Sequence, residues 1–158
     1  MFGKKKKNIA LYTFYALILL ISLTGCNANG LTAGCPIYDR LAYPFCHANI
    51  FHAAINVYVL NQCINSIKVG FGLLVFYIIA VTYPFANHTP ILGLSGIVYS
   101  YMGFIAPFAR NKVRYNATVI FYIAIGLLFP CIAFGVHLYC YVLGLIYGYL
   151  NLPSCEDK

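Results

Sequence analysis

Long apolar stretches, separated by short polar segments, run through nearly the whole chain of 158 residues. Only 8% of the residues are charged and 62% are hydrophobic, whereas about 25% of the residues of a soluble domain carry a charge. A small water-soluble core cannot hide this much apolar surface. The sequence therefore predicts a membrane protein that has no room for a second folded domain.

The apolar stretches predict six helices, several of them shorter than the roughly 20 residues of a full membrane span. A short helix is tolerated at membrane depth when other protein segments surround it. The predicted fold class is therefore all-α, a polytopic membrane protein with a bundle of six transmembrane helices. The predicted helices cover residues 9–25, 44–64, 69–85, 94–108, 116–131 and 135–152.

The basic residues orient this bundle. With the N-terminus inside, nine of the ten Lys and Arg residues fall on inner segments and only Arg40 falls in an outer loop. Such a bias is typical of multispanning proteins and does not indicate a nucleic-acid partner. We expect a basic cytoplasmic N-terminus at 1–8, the membrane domain at 9–152 and a short cytoplasmic tail at 153–158. The compact six-helix form favours a bacterial inner membrane.

The cysteines leave two questions open. Cys26 ends the string Leu23-Thr24-Gly25-Cys26, which is also typical of a bacterial lipoprotein signal, and cleavage there would remove the first helix. Cys26 and Cys35 share the first outer loop and could form a disulfide in an oxidising compartment. The seven cysteines form no CxxC or Cys/His metal motif, so we expect no metal and no other cofactor.

Four polar side chains, His52, Asn56, Ser95 and His137, lie within the apolar stretches. Polar groups at membrane depth are costly, which makes each of them a functional candidate. The second, fourth and sixth predicted helices run from the outer to the inner side, and this places all four groups in the outer half of the bundle. A serine, a histidine and a separate His/Asn pair are the parts that covalent acyl chemistry requires.

Glycines predict which helices touch. Gly144 and Gly148 lie seven and eleven residues after His137, so all three share one side of the sixth helix. Glycines on such a stripe let another helix approach closely. The residues predicted to face them on the fourth helix are Gly96, Ser100 and Gly103. This approach would bring His137 within hydrogen-bond reach of Ser95.

Three motifs together resemble the rhomboid family of intramembrane serine proteases. The segment from Arg40 to Asn56, with its His…His…Asn spacing, resembles the second-helix signature of that family. The segment from Gly93 to Tyr99 is similar to the fourth-helix nucleophile motif. His137 with Gly144 is similar to the sixth-helix base and its packing glycine. All three motifs stand in the family's order, each on the corresponding helix.

The resemblance implies an intramembrane serine endopeptidase with a rhomboid-like bundle. Ser95 would be the nucleophile and His137 the general base, while His52 and Asn56 would help to form the oxyanion hole. Tyr99 is similar to the family tyrosine that stacks on the base. The residues expected to have a structural packing role are Gly93, Gly96, Gly103, Gly144, Gly148 and His47, and His47 is expected to cap or brace the first outer loop. One departure is Cys140, which stands where many family members have a glycine.

The implied substrates are single-span or polytopic membrane proteins, cut within the lipid bilayer near its outer face. The acids of the chain are Asp39, Glu156 and Asp157, and none is predicted near the site, so we expect a Ser/His dyad. The alternative is a catalytically silent rhomboid-like protein that binds membrane helices. A transporter would need a charged residue within its spans, and the predicted spans have none. A zinc metalloprotease would need an HExxH motif, which the sequence lacks.

Overall fold

The structure, a computed structural model, describes residues 2–25, 29–67, 72–85, 89–128 and 133–152, with side chains from residue 9 onward. Its helices are α1 (Phe2–Thr24), α2 (Ile37–Ala42), α3 (Ile50–Ser66), α4 (Gly72–Val81), α5 (Ser95–Ile105), α6 (Lys112–Ile125) and α7 (Phe134–Leu150). The 3₁₀ turns are Tyr43–Phe45, Ala106–Phe108 and Gly126–Leu128. The all-α prediction is confirmed. Among these helices, none is at once long enough and apolar enough to traverse a membrane.

The six predicted helices correspond to α1 and to α3 through α7, whereas α2 was not predicted. The second predicted helix, 44–64, begins later than expected because Pro44 lies in a 3₁₀ turn and the chain is then extended at Cys46. Asn49 caps α3, since its side chain accepts a hydrogen bond of 2.9 Å from the backbone N–H of His52. The cap therefore sets the start of the helix that carries His52.

Helix α5 occupies the centre of the bundle, and none of its residues is exposed. Phe76 of α4 is fully buried against it, with its ring centroid 4.2 Å from that of Tyr101 and 5.6 Å from that of Phe104. The other long helices each expose large apolar side chains, for example Leu17, Phe51, Leu74, Phe121 and Ile146. The core therefore follows the axis of α5, and the outer helices present apolar surface outwards.

Glycines let the backbones of α5 and α7 touch. A Cβ atom on Gly144 would collide with the carbonyl of Ser100, and one on Gly148 would lie 2.6 Å from the carbonyl oxygen of Phe104. Gly103 approaches the backbone of α7 in the same way. The contacts advance in step along both helices, so α5 and α7 are parallel. The structure thus brings together the two stripes of small residues that the sequence predicted to face each other.

Cys140 belongs to the same contact, nearer the start of both helices. It is fully buried, and its Sγ atom would lie 3.3 Å from a Cβ atom built on Gly96. Ala80 of α4 lies on the other side of Gly96, where its Cβ would be 3.2 Å away. A small thiol therefore fills the space that a glycine would leave empty, and three helices meet closely around Gly96.

The connection between α1 and α3 is tied to α4. Arg40 donates hydrogen bonds from Nη1 to the carbonyls of Val81 (3.1 Å) and Tyr83 (2.7 Å), which caps the C-terminal end of α4. The neighbouring Asp39 is buried and accepts hydrogen bonds from the backbone N–H (3.3 Å) and the side-chain amide (3.4 Å) of Asn29. Through these two side chains, helix α2 joins the connection between α1 and α3 to the end of α4.

Cys35 is a free thiol, so the disulfide considered between Cys26 and Cys35 is not formed. Cys26 itself lies outside the described residues, as does the predicted tail at 153–158. Cys63 is also free and is buried between helices. Cys46, in contrast, is disulfide-bonded.

We expect Gly144→Ala to destabilise the fold by about 1–3 kcal/mol, because the added methyl group would overlap the carbonyl of Ser100. Thermal unfolding followed by circular dichroism measures this loss. The matched control is Val142→Ala on the exposed side of α7, where the side chain is 42% exposed. Equal melting temperatures for the two variants would contradict the backbone contact.

Candidate active site

The segment that leads into α5 is held from two directions. Ile91 and Leu31 form an isolated antiparallel bridge with backbone hydrogen bonds of 2.9 and 3.2 Å. Two residues later, the N–H of Gly93 donates to the carbonyl of Tyr43 at 2.9 Å. These bonds come from the connection between α1 and α3, distant in sequence. They fix the direction in which the chain enters α5 at Ser95.

Gly93 allows a backbone conformation and an approach that other residues would not. Its φ angle is +120°, a value that side-chain-bearing residues rarely adopt. A Cβ atom built there would lie 2.9 Å from Cε1 of His52. The imidazole of His52 therefore packs directly on this turn, two residues before Ser95.

Ser95 and His137 meet at the N-terminal ends of the parallel helices α5 and α7. Ser95 is the first residue of α5, and His137 lies in the first turn of α7. The Oγ atom of Ser95 is 2.8 Å from Nε2 of His137, a hydrogen-bond distance. Ser95 is half-buried and His137 is buried. A serine hydroxyl bonded to a neutral imidazole is the arrangement of a nucleophile with its general base.

The ring of His137 is held by stacking. Tyr99 lies one turn after Ser95, and its ring is 4.4 Å from that of His137 with an interplanar angle of 28°. When Nε2 accepts the serine proton, Nδ1 carries the other ring hydrogen. Nδ1 is buried and finds no hydrogen-bond partner among the described residues. The carboxylate of Asp39 is engaged with Asn29, so the contact that the structure shows on the ring of His137 besides Ser95 is the aromatic face of Tyr99.

His52 and Asn56 share one face of α3, and the structure places them differently. His52 is half-buried beside the turn, with its ring 5.2 Å from that of His47 in an edge-to-face arrangement. Asn56 is buried, and its side-chain amide donates a hydrogen bond of 3.0 Å to the backbone carbonyl of His52. One of the two amide hydrogens of Asn56 is therefore used within its own helix.

His47 contributes more to the site than the sequence indicated. It was expected to brace the first loop, whereas the structure shows its Nε2 accepting a hydrogen bond of 3.2 Å from the buried N–H of Leu94, directly before Ser95. Its Nδ1 then donates to Oγ of Ser22 at 3.4 Å, and Ser22 donates to the carbonyl of Ile18 at 2.7 Å. This chain of bonds fixes the tautomer of His47 and links α1 to the start of α5.

The spacing of His47 gave no signal for this role. His47 lies inside the predicted helix 44–64, whereas in the structure it precedes α3, which begins at Ile50. What it binds depends on a contact between segments far apart in sequence, which no local pattern reveals. In the part of the chain that the structure describes, no group of three or more His, Cys, Asp or Glu side chains could hold a metal ion.

Comparison of the chain with protein-family models, with curated proteins and with solved structures gives no match in any of the three. The rhomboid resemblance therefore rests on the three sequence motifs. The functional interpretation depends on the geometry and chemistry of the site itself.

We expect His47→Leu to destabilise the turn before α5 by about 1–3 kcal/mol, because it leaves the buried N–H of Leu94 without a partner. Hydrogen exchange of the Leu94 amide measures the local effect, and exchange should become faster. Phe51→Ala, at a position that is 77% exposed nearby, is the control. Unchanged protection of the Leu94 amide in His47→Leu would show that the imidazole does not hold the turn.

Proposed function

We propose that the chain is an intramembrane serine endopeptidase of the rhomboid type, which cleaves transmembrane segments of other membrane proteins near the outer membrane face. The observation that carries this proposal is the 2.8 Å contact between Ser95 Oγ and His137 Nε2. The serine lies at a helix start, where its hydroxyl is partly accessible, and the base is buried behind it. This combination favours a reactive hydroxyl over a structural one.

The reaction would proceed through an acyl-enzyme. Ser95 Oγ attacks the carbonyl carbon of the scissile peptide while His137 Nε2 takes the hydroxyl proton. The tetrahedral intermediate collapses, the C–N bond breaks, and His137 returns the proton to the leaving amine. Water then attacks the ester with His137 again as base, and the acid product leaves as Ser95 regains its proton. No carboxylate is needed when stacking on Tyr99 holds the imidazole.

In this proposal three groups would stabilise the oxyanion. Ser95 is the first residue of α5, and N–H groups in the first turn of a helix have no intrahelical acceptor. The ring of His52 packs on the adjoining turn, and Asn56 lies one turn further along α3 with one amide hydrogen not used in its bond to His52. A single donor of this kind typically contributes about 100- to 1,000-fold in rate.

The distribution of apolar surface supports the membrane part of the proposal. Helix α5 is enclosed, while the helices around it expose large side chains such as Phe51 (77%), Val113 (81%) and Leu150 (77%). Exposed apolar surface on this scale needs a lipid environment or a partner to cover it. With the orientation that the basic residues predict, the dyad opens towards the outer side of a bacterial inner membrane.

Displacement of α6 is the most favourable route for substrate entry. Its buried side chains are Val119 and Ile123, which form a small separate cluster with Tyr141. Tyr99 packs against the same cluster, so α6 covers the side of the dyad on which the base is stacked. A helix with so few buried contacts costs little to displace. Its displacement would admit a substrate segment to Ser95.

We expect Ser95→Ala to lower cleavage of a tagged single-span reporter by about 1,000-fold or more, since it removes the nucleophile. The reporter carries a Gly/Ala-rich segment at the outer face, and gel shift in a bacterial membrane measures the product. A fluorophosphonate probe, which reacts with activated serines, should label the wild-type protein and fail to label Ser95→Ala.

The matched control is Ser100→Ala on the same helix, whose hydroxyl donates to the carbonyl of Gly96 at 3.0 Å. This variant should keep both cleavage and labelling. Labelling that persists in Ser95→Ala would refute the assignment of the nucleophile. A folded wild-type protein that cuts no reporter, yet copurifies with one, would favour the silent helix-binding alternative.

Tyr99→Phe should keep most activity because the aromatic face remains, whereas Tyr99→Ala should lower kcat by about 10- to 100-fold as the imidazole loses its fixed orientation. KM should change little in either variant. Steady-state kinetics with the reporter in detergent measures both constants. Equal losses of kcat in the two variants would show that the phenol hydroxyl, rather than stacking, supports the base.

A further inference from the structure

A second candidate site lies towards the opposite end of α5 from the dyad. A cavity of about 430 Å³ opens between the end of α5 and the start of α6. Met102, the residue of α5 in the cavity wall, lies seven positions after Ser95, which at 1.5 Å per residue puts the nearest part of the wall about 10 Å along the helix from Ser95. The cavity is separate from the proposed active site, because its lining includes neither Ser95 nor His137.

Two arginines, Arg110 and Arg114, are among the residues that line the cavity. Both side chains are exposed, and the structure records no ion pair for either with any residue that it describes. The side chain of the nearby Asn111 accepts a hydrogen bond of 2.9 Å from the N–H of Arg114 and thereby caps α6. Two neighbouring arginines without a carboxylate form a site suited to an anionic group such as phosphate.

Much of the remaining lining is apolar. Met102 of α5 and Val119 and Tyr122 of α6 form part of the wall. The hydroxyl of Tyr115 donates a hydrogen bond of 3.1 Å to the carbonyl of Met102, which closes the wall between the two helices. A free phosphate ion would leave this apolar surface uncovered. A ligand that carries a phosphate on an apolar body would cover both parts of the cavity.

We propose that this cavity binds one anionic phospholipid of the inner leaflet, with its phosphate between Arg110 and Arg114 and its glycerol and acyl portion against Met102, Val119 and Tyr122. The site lies in the loop that the basic residues place on the cytoplasmic side, where anionic headgroups are found. The proposal rests on the membrane placement in the proposed function and is independent of catalysis at Ser95.

Binding would join the start of α6 to the end of α5. Because the lipid contacts both helices only in the folded protein, it should raise the stability of that protein by mass action. The test uses the full chain carrying Ser95→Ala, purified in an uncharged maltoside detergent. Dioctanoyl phosphatidylglycerol is titrated and the melting temperature is followed. Dioctanoyl phosphatidylcholine and inorganic phosphate are titrated in parallel.

We expect phosphatidylglycerol to raise the melting temperature by about 5–10 °C at 100 times its Kd, and the other two compounds to have little effect. The double variant Arg110→Gln/Arg114→Gln should weaken the apparent affinity by about 10-fold or more. The control is Lys112→Gln, which removes one charge from the start of α6, outside the cavity lining, and should bind as tightly as the parent. If Arg110→Gln/Arg114→Gln does not fold, the variant Arg110→Lys/Arg114→Lys, which keeps both charges, is titrated in its place.

An equal shift in the parent and the double variant would overturn the proposal, as would an equal loss in Lys112→Gln. A shift with inorganic phosphate alone would assign the cavity to a free anion instead. The result is distinct from that of the cleavage assay. Ser95-dependent cleavage without lipid binding would reject this site only, and lipid binding without cleavage would reject the protease only.

Discussion

The parallel contact between the backbones of α5 and α7 is the constraint on which the candidate site depends. It exists because Gly103 and Gly144 carry no Cβ atom at the points of closest approach. The same contact sets the register of the two helices. A slip of one turn would shift His137 by about 5.4 Å relative to Ser95, and the 2.8 Å hydrogen bond would be lost. Packing residues that lie away from the site thus determine whether a dyad forms at all.

Register alone does not set the direction of Ser95, since the first residue of a helix takes its direction from the chain before it. Here that chain is held by the carbonyl of Tyr43, the imidazole of His47 and the bridge at Leu31. All three lie between α1 and α3. The connecting segment therefore acts as a scaffold for the turn at Gly93, and Arg40 fixes the segment in turn to the end of α4.

These two constraints differ in how far the sequence could reveal them. Apolar length predicted the long helices, and the glycine spacing after His137 predicted the helix that it faces, because both follow from local periodicity. Helix α2 has six residues, too short to produce such a pattern. The partner of His47 and the hydrogen bond from Asn56 to its own helix depend on tertiary contacts and on side-chain orientation. No spacing encodes these, and the free state of Cys35 is a further example.

The two halves of helix α6 are held in the bundle by different kinds of contact. In its first half, the hydroxyl of Tyr115 is bonded to the end of α5, and the side chain of Asn116 accepts a hydrogen bond from Tyr141 on α7. In its second half, from residue 119 on, Val119 and Ile123 supply the buried contact. The first half of α6 is therefore held by directed bonds, whereas the second half is held by a small apolar cluster in which Val119 also lines the cavity. A lipid bound at the cavity would contact Arg114 in the first half and Val119 and Tyr122 in the second, so displacement of α6 for substrate entry would have to break those contacts as well.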